Sequence, residues 1–197
     1  MNLSHTQLYM PSDIAIDPAN GDVYVADGYG NSRIAVFDRE GKFLRQWGHQ
    51  GTKEQADAGV GGAFMRVVHC VRLGNDDLVY VCDRQSDRIQ VFDKMGIFKR
   101  NIWIRRGRTL PDIWGTTWWI GFSPDREQKY MFVVDGGDEQ VKILDRASGE
   151  IVSSFGRPGH QLGEFTHAHT LAVDSKGNIY VAETDWGRRV QRFRPVR

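Results

Sequence analysis

The chain has 197 residues, with 26 Lys and Arg against 25 Asp and Glu, and its formal charge of +1 gives no electrostatic case for nucleic acid or an acidic membrane surface. Apolar residues make up 40% of it, including six Trp and ten Phe, which is enough for a real core. No apolar run reaches the roughly 18 residues of a membrane span, and MNLSHTQLYMPSD lacks the basic-then-apolar pattern of a signal peptide, while the native compartment stays open.

Residues 1–9 are polar and lack a clear pattern. From Met10-Pro11 onward the sequence alternates with period two, and Gly, Asn and Asp stand at the corners, which is hairpin chemistry. A first unit predicts strands at 14–17, 22–27, 33–38 and 43–47, joined by the turn signals PANG, GYGNS and DREGK. A Gly-rich loop over 48–62 leads to a second unit with strands at 69–73, 78–83, 88–93 and 98–104. Arg105, Arg106 and Arg108 then form a basic cluster, read as a solvated loop. Trp114, Trp118 and Trp119 precede the third unit and read as core packing. That unit predicts strands at 118–123, 129–135, 141–145 and 151–155. The fourth offers only three, at 170–174, 178–183 and 189–193. Cys70 and Cys82 fall on neighbouring strands of one unit, where they could face each other; two cysteines are too few for a disulfide framework and read as small buried hydrophobes.

These units are copies of one pattern. VYVADGYGNSRIAVFD returns as VYVCDRQSDRIQVFD, FVVDGGDEQVKILD and IYVAETDWGRRVQRF. Each is an apolar strand ending on an acid, then a polar loop, then Arg or Gln opening another strand. The acids are Asp27, Asp83, Asp135 and Glu183, spaced by 56, 52 and 48 residues. A period near 50 marks a repeat architecture, and four-stranded antiparallel units in tandem are propeller blades. The expected fold class is therefore an all-β propeller in one domain over 1–197, with repeats at about 10–48, 64–104, 114–156 and 163–193, the last incomplete.

PSDIAID, GDVYVAD, RIAVFD and GKFLRQWG resemble, piece by piece, the opening, second, third and closing segments of an NHL repeat. That resemblance covers residues 10 to 193 and implies an NHL-type β-propeller. Propellers of this family usually have six blades, so residues 1–9 could supply the fourth unit's outer strand, or two copies of the chain could complete one ring. An open arc is the third option.

The start of a blade's first strand and the end of its second open on the same side. His69 and His169 occupy equivalent places in the second and fourth units, 100 residues apart like Asp83 and Glu183. Asp13 holds that place in the first unit, and Trp119 or Ile120 in the third. Tyr29 and Arg84 lie just past second strands. Two equivalent imidazoles suggest zinc, although zinc sites take three or four ligands. The bland reading makes them ordinary polar residues at strand ends, and structural calcium is also compatible.

VADGYGNSRI, VVHCVRL…VCDRQSDRIQVF and HTLAVDSKGN further resemble the peptidyl-α-hydroxyglycine α-amidating lyases (peptidylamidoglycolate lyases), NHL-type zinc enzymes. The resemblance implies cleavage of an α-hydroxyglycine derivative to an amide and glyoxylate. It implies that Tyr29 is the catalytic base, that His69 and His169 are zinc ligands, and that Arg84 lines the site and holds the substrate carboxylate. His167 stands where that family has Met and could substitute as a ligand if the strand is regular there. The family's third zinc histidine and a further arginine come from a blade preceding Met10. The expectation is thus a site in outline with little or no lyase activity from these residues alone. Structural alternatives are that the Tyr29 ring packs in its Gly-rich loop and that Arg84 pairs with Asp83 or Asp87. The competing function is a non-catalytic NHL module that binds a protein or peptide.

Overall fold

The computed structural model describes residues 4–106 and 114–196; Arg108, of the basic cluster, lies outside them. The chain divides into two compact units, Met1–Pro111 and Asp112–Arg197.

In the first unit, β1 (Asp13–Ile16), β2 (Val23–Asp27), β3 (Arg33–Phe37) and β4 (Phe43–Trp47) form one antiparallel sheet in sequence order. After the connection over 48–67, β7 (Val68–Leu73), β8 (Leu78–Asp83), β9 (Arg88–Asp93) and β10 (Phe98–Trp103) form a second. Period-two alternation specifies these strands, and side-chain turns close them. Asp38 Oδ1 accepts from the Glu40 and Lys42 N–H groups at 3.1 and 2.7 Å, and Asp93 Oδ1 does the same for Met95 and Ile97 at 3.0 and 2.9 Å. The middle strands β2, β3, β8 and β9 are buried on both faces, their polar members Arg33, Arg88 and Gln90 included. Tyr24, Ile34, Phe64, Val71, Val81 and Phe92 make the core between the sheets, where β1 and β2 pack on β7.

The second unit repeats the plan. β11 (Trp119–Phe122), β12 (Tyr130–Asp135), β13 (Gln140–Asp145) and β14 (Ile151–Phe155) form a four-stranded sheet. β15 (Ala168–Val173), β16 (Ile179–Glu183) and β17 (Val190–Phe193) form a three-stranded one, packed through β15 on β11 and β12. Trp118, Val134, Val141, Phe165, Leu171 and Val181 fill its core. The core reading of Trp118 therefore holds, while Trp114 stacks on it and is 46% exposed. The sequence pattern thus located all four blade repeats and the incomplete fourth sheet, with boundaries displaced by one or two residues.

Three expectations are corrected. Residues 4–9 form no strand, so they are not the outer strand of the three-stranded sheet. They lie along the first sheet instead: Arg33 donates to the Ser4 and Gln7 carbonyls at 2.9 Å each, and the His5 ring stacks on Phe43. The Gly-rich stretch 48–62 is not all loop. It holds α1 (Lys53–Asp57), started by a Thr52–Gln55 capping box, and β5 (His49–Gln50), which pairs in parallel with β6 (Ala63–Phe64). Cys70 and Cys82 are buried as expected but bonded to each other, cross-linking β7 to β8. Closing a loop of this size stabilises a fold by about 3 kcal/mol.

In three of the four blades the repeated acid clasps the strand ends. Asp83 is fully buried and accepts from Arg88 Nε at 2.8 Å, Gln90 Nε2 at 2.9 Å and the Met65 N–H at 3.0 Å. Glu183 accepts from Arg189 Nε at 2.6 Å, Gln191 Nε2 at 2.9 Å and the Thr166 N–H at 2.7 Å. Each carboxylate ties its second strand to its third and to the incoming chain. Asp135 departs from the plan because Gln140 stands where the arginine would be. Asp135 accepts from the Gly137 and Asp138 N–H groups at 3.2 and 3.0 Å.

Candidate active site around Tyr29

The loop that presents Tyr29 is built by its neighbours. Asp27 accepts from the Tyr9 N–H, Asn31 Nδ2 and Arg33 Nε, each at 2.8 Å, and is fully buried. Gly28 runs so close to the next sheet that a Cβ would lie 1.9 Å from the Val68 carbonyl oxygen. A Cβ on Gly30 would lie 2.1 Å from the Tyr9 ring. The Tyr29 and Gly30 N–H groups bond the Met10 and Tyr9 carbonyls at 3.2 and 3.0 Å, and Ser32 Oγ bonds Gln50 at 2.8 Å. Asp27, Gly28, Gly30, Asn31 and Arg33 thus shape the turn. The Tyr29 side chain takes no part in that scaffolding.

Its hydroxyl accepts from Arg84 Nη1 at 3.3 Å, and the Arg84 guanidinium carbon lies 5.8 Å from the ring centroid. The His69 ring meets the Tyr29 ring edge-on at 5.8 Å. Three residues singled out from separate motifs therefore gather inside the first unit. Arg84 opens a single 3-10 turn, Arg84–Ser86, and its N–H bonds the Val67 carbonyl at 3.1 Å. Asp83 is clasped by Arg88 and Gln90, and the Arg84 side chain turns to Tyr29. Arg84 is 7% exposed, and burial pushes its guanidinium below the ordinary value; the Tyr29 hydroxyl offsets this in part, and the charge of Arg66 adds to it. His69 is 2% exposed, at an irregularity of β7 between Val68 and Val71.

Asp13, in the place equivalent to His69, is structural. Its carboxylate pairs with Arg72 at 2.5 Å and accepts from the Val71 N–H at 2.9 Å, tying β1 to β7. Burial raises its pKa against those two contacts.

In the second unit His167 precedes β15 with a left-handed φ of 66°, and β15 is irregular between Ala168 and Thr170. The regular strand that would set His167 and His169 on one face is absent. Both rings meet the Trp118 indole edge-on, at 5.3 Å for His167 and 5.2 Å for His169. The Glu139 carboxylate fixes the bend by accepting from the His167 and Ala168 N–H groups at 2.7 and 2.8 Å. His167 Nδ1 lies 3.3 Å from Asp185, with Trp114 and Trp186 rings beside it. These imidazoles are zinc-type donors, yet among the described residues no three His, Cys, Asp or Glu side chains are arranged to hold a metal ion.

The sequence reading missed a cleft beside Tyr29. It has a volume of about 300 Å³ and is lined by Tyr9, Met10, Tyr29, Ser32, Gln50 and Arg66, among others. Arg66 precedes β7 in no recognisable motif, so nothing in its neighbours' pattern marked it.

Residues 8–37 match the model of the NHL repeat. The chain is 29% identical over 191 residues to peptidylglycine alpha-amidating monooxygenase of Rattus norvegicus, covering 88% of this chain and 17% of that protein. It is 29% identical over 201 residues to peptidyl-alpha-hydroxyglycine alpha-amidating lyase 1 of Drosophila melanogaster, covering 93% and 34%. The chain spans less than half the length of these relatives. Virginiamycin B lyase of Staphylococcus aureus has a similar fold, with TM-score 0.61 and 13% identity over 98% of this chain and 57% of that one. The chain is thus an all-β protein of propeller-type blades, with an NHL-repeat match over residues 8–37 and amidating-lyase relatives.

Proposed function

We propose that the chain is a peptidylamidoglycolate lyase-like protein that cleaves α-hydroxyglycine derivatives to an amide and glyoxylate. The observation that carries this is the Arg84–Tyr29–His69 cluster: the side chain that the loop motif does not use as scaffold faces a buried guanidinium and an imidazole. In this reading Tyr29 takes the proton of the substrate hydroxyl as general base. The carbonyl of glyoxylate forms as the C–N bond breaks, and the same proton passes to the departing amide nitrogen. Arg84 orients the Tyr29 oxygen; its five N–H donors allow it to hold the substrate carboxylate as well. Zinc belongs to the proposal, with His69, His169 and His167 as candidate imidazole donors, and would supply acidification of the substrate hydroxyl. Slow turnover is expected, because a catalytic zinc takes three protein ligands and the repeat supplies two in register. Glyoxylate release from an α-hydroxyglycine peptide, compared with the Tyr29→Phe variant, tests the proposal.

A second reading rests on the cleft itself. An aromatic and cationic recess beside the loop suits capture of a peptide without chemistry, as in a non-catalytic NHL module. Binding without glyoxylate release is its signature.

A further inference from the structure

We infer that the outward face of the first sheet binds the outward face of the three-stranded sheet in a second copy of the chain. The core between the first two sheets joins two kinds of face. The first sheet contributes Ala15, Tyr24 and Val36, paired across its strands, with Ala26 beside Ile34. The second contributes Val71 paired with Val81, and Leu73 in line with Val79 and Phe92. Successive side chains on a strand point to opposite faces, so the first sheet turns its alternate residues outward.

Those outward residues repeat the second sheet's contribution. Ile14 pairs with Val25, and Ile16 lies in line with Val23 and Phe37. Ile14 and Ile16 are 57% and 63% exposed, whereas their equivalents Val71 and Leu73 are buried and half-buried against the first sheet. Leu8 completes the match. It stands immediately before the residue whose N–H bonds the strand-end acid, as Phe64 and Phe165 do. Both of those rings are fully buried in a sheet–sheet core, and Leu8 is 39% exposed.

The three-stranded sheet carries the counterpart. Leu171, Ile179 and Val181 enter the core of its own unit, and the alternate residues point away from it. Ala172 lies in line with Tyr180 and Arg192, and Ala182 pairs with Val190. This is the pattern of Ala15, Tyr24 and Val36 with Ala26 beside Ile34. Val190, in the place of the buried Ile34, is 65% exposed. Arg192 departs from the plan at the place of Val36, where its aliphatic stem can cover apolar surface while the charge stays in water. The chain thus exposes both halves of an interface that it forms in full between its first two sheets, and a second copy supplies the half that each face lacks. The contact joins two different surfaces, so the copies associate head to tail.

The test is the mass of the protein in solution, read by light scattering over a range of concentrations. The wild type should exceed the mass of one chain, increasingly so as concentration rises. Ile16→Asp and Val190→Asp change exposed positions, and circular dichroism checks that each variant keeps its fold. Each should weaken association at least about tenfold, because a carboxylate would be buried without a partner. An equal mixture of the two variants should associate with about the wild-type affinity, since one keeps the first-sheet face and the other keeps the three-stranded-sheet face. A wild type that stays a single chain throughout overturns the inference. Association lost in Ile16→Asp but unchanged in Val190→Asp also overturns it, because two like faces, or a different surface of the second copy, would then be in contact. A mixture that does not associate overturns it as well.

Discussion

Arg84 Nη1 donates to the Tyr29 hydroxyl at 3.3 Å, joining the residues that follow the second strands of two successive sheets. Tyr29 stands two residues beyond Asp27 and Arg84 one beyond Asp83, each held in place by the carboxylate clasp at its strand end. The clasps therefore fix the chain at the point where each of these side chains departs from its strand. If Arg84 orients Tyr29, Arg84→Met should lower glyoxylate release by about 10- to 100-fold, as for loss of an orienting contact. Arg84→Lys should retain an intermediate rate. Circular dichroism on both variants separates this from misfolding, and equal rates in all three proteins would remove Arg84 from the account.

The approach of Gly28 to Val68 leaves no room for a methyl group. Gly28→Ala should destabilise the first unit by about 2 kcal/mol or more, in the range of overpacking. Gly41 has a φ of +86° and open space around it, so Gly41→Ala should cost only about 1 kcal/mol through backbone conformation. Urea denaturation of the two variants compares them. A Gly28→Ala protein as stable as wild type would show that the loop can shift.

Burial decides the weight of the clasp. The Arg88 and Asp83 side chains are both 0% exposed at 2.8 Å, so Arg88→Met strands a carboxylate and should cost about 3–5 kcal/mol. Lys53 and Asp57 are 70% and 65% exposed, and Lys53→Ala should change stability by less than about 1 kcal/mol. Equal effects of the two substitutions on the urea midpoint would contradict this.

The blades were legible because alternation recurs four times and the acid–Arg pairing three, at Asp27–Arg33, Asp83–Arg88 and Glu183–Arg189, and the clasp needs both partners at fixed places. Tyr29 was singled out by its place past a second strand and by the resemblance of its motif, and the structure adds that the other residues of that motif have scaffold tasks in the turn. The disulfide was not legible, since a spacing of 12 residues puts Cys70 and Cys82 opposite each other whether or not they bond. Nor was the bend at His167, which Glu139 imposes from 28 residues upstream. Arg66 acquires its place from the approach of the Tyr29 loop, a tertiary relationship without local trace.

The turn acid Asp17 sets an acid limb of stability. Burial opposes its ionisation, but Lys94 at 2.8 Å and the Ala19 N–H outweigh that and hold its carboxyl below the ordinary 3.8. A folded value below the unfolded one means the contribution is fully present above the usual carboxyl range and is lost as pH falls through the folded value. Asp17→Asn should therefore lower stability at neutral pH and flatten the decline between about pH 4 and pH 2. Urea midpoints across that range check it, and parallel curves for the two proteins would refute the assignment.

The central claim is that Tyr29 is the base of an α-hydroxyglycine lyase. The most direct measurement is glyoxylate release from an α-hydroxyglycine peptide with excess zinc, by wild type and by Tyr29→Phe. The account predicts slow release by the wild type and a loss of at least about 100-fold in Tyr29→Phe, the range for removing a general base, with unchanged peptide binding. Equal release by both proteins, or none by either while the peptide still binds, contradicts it.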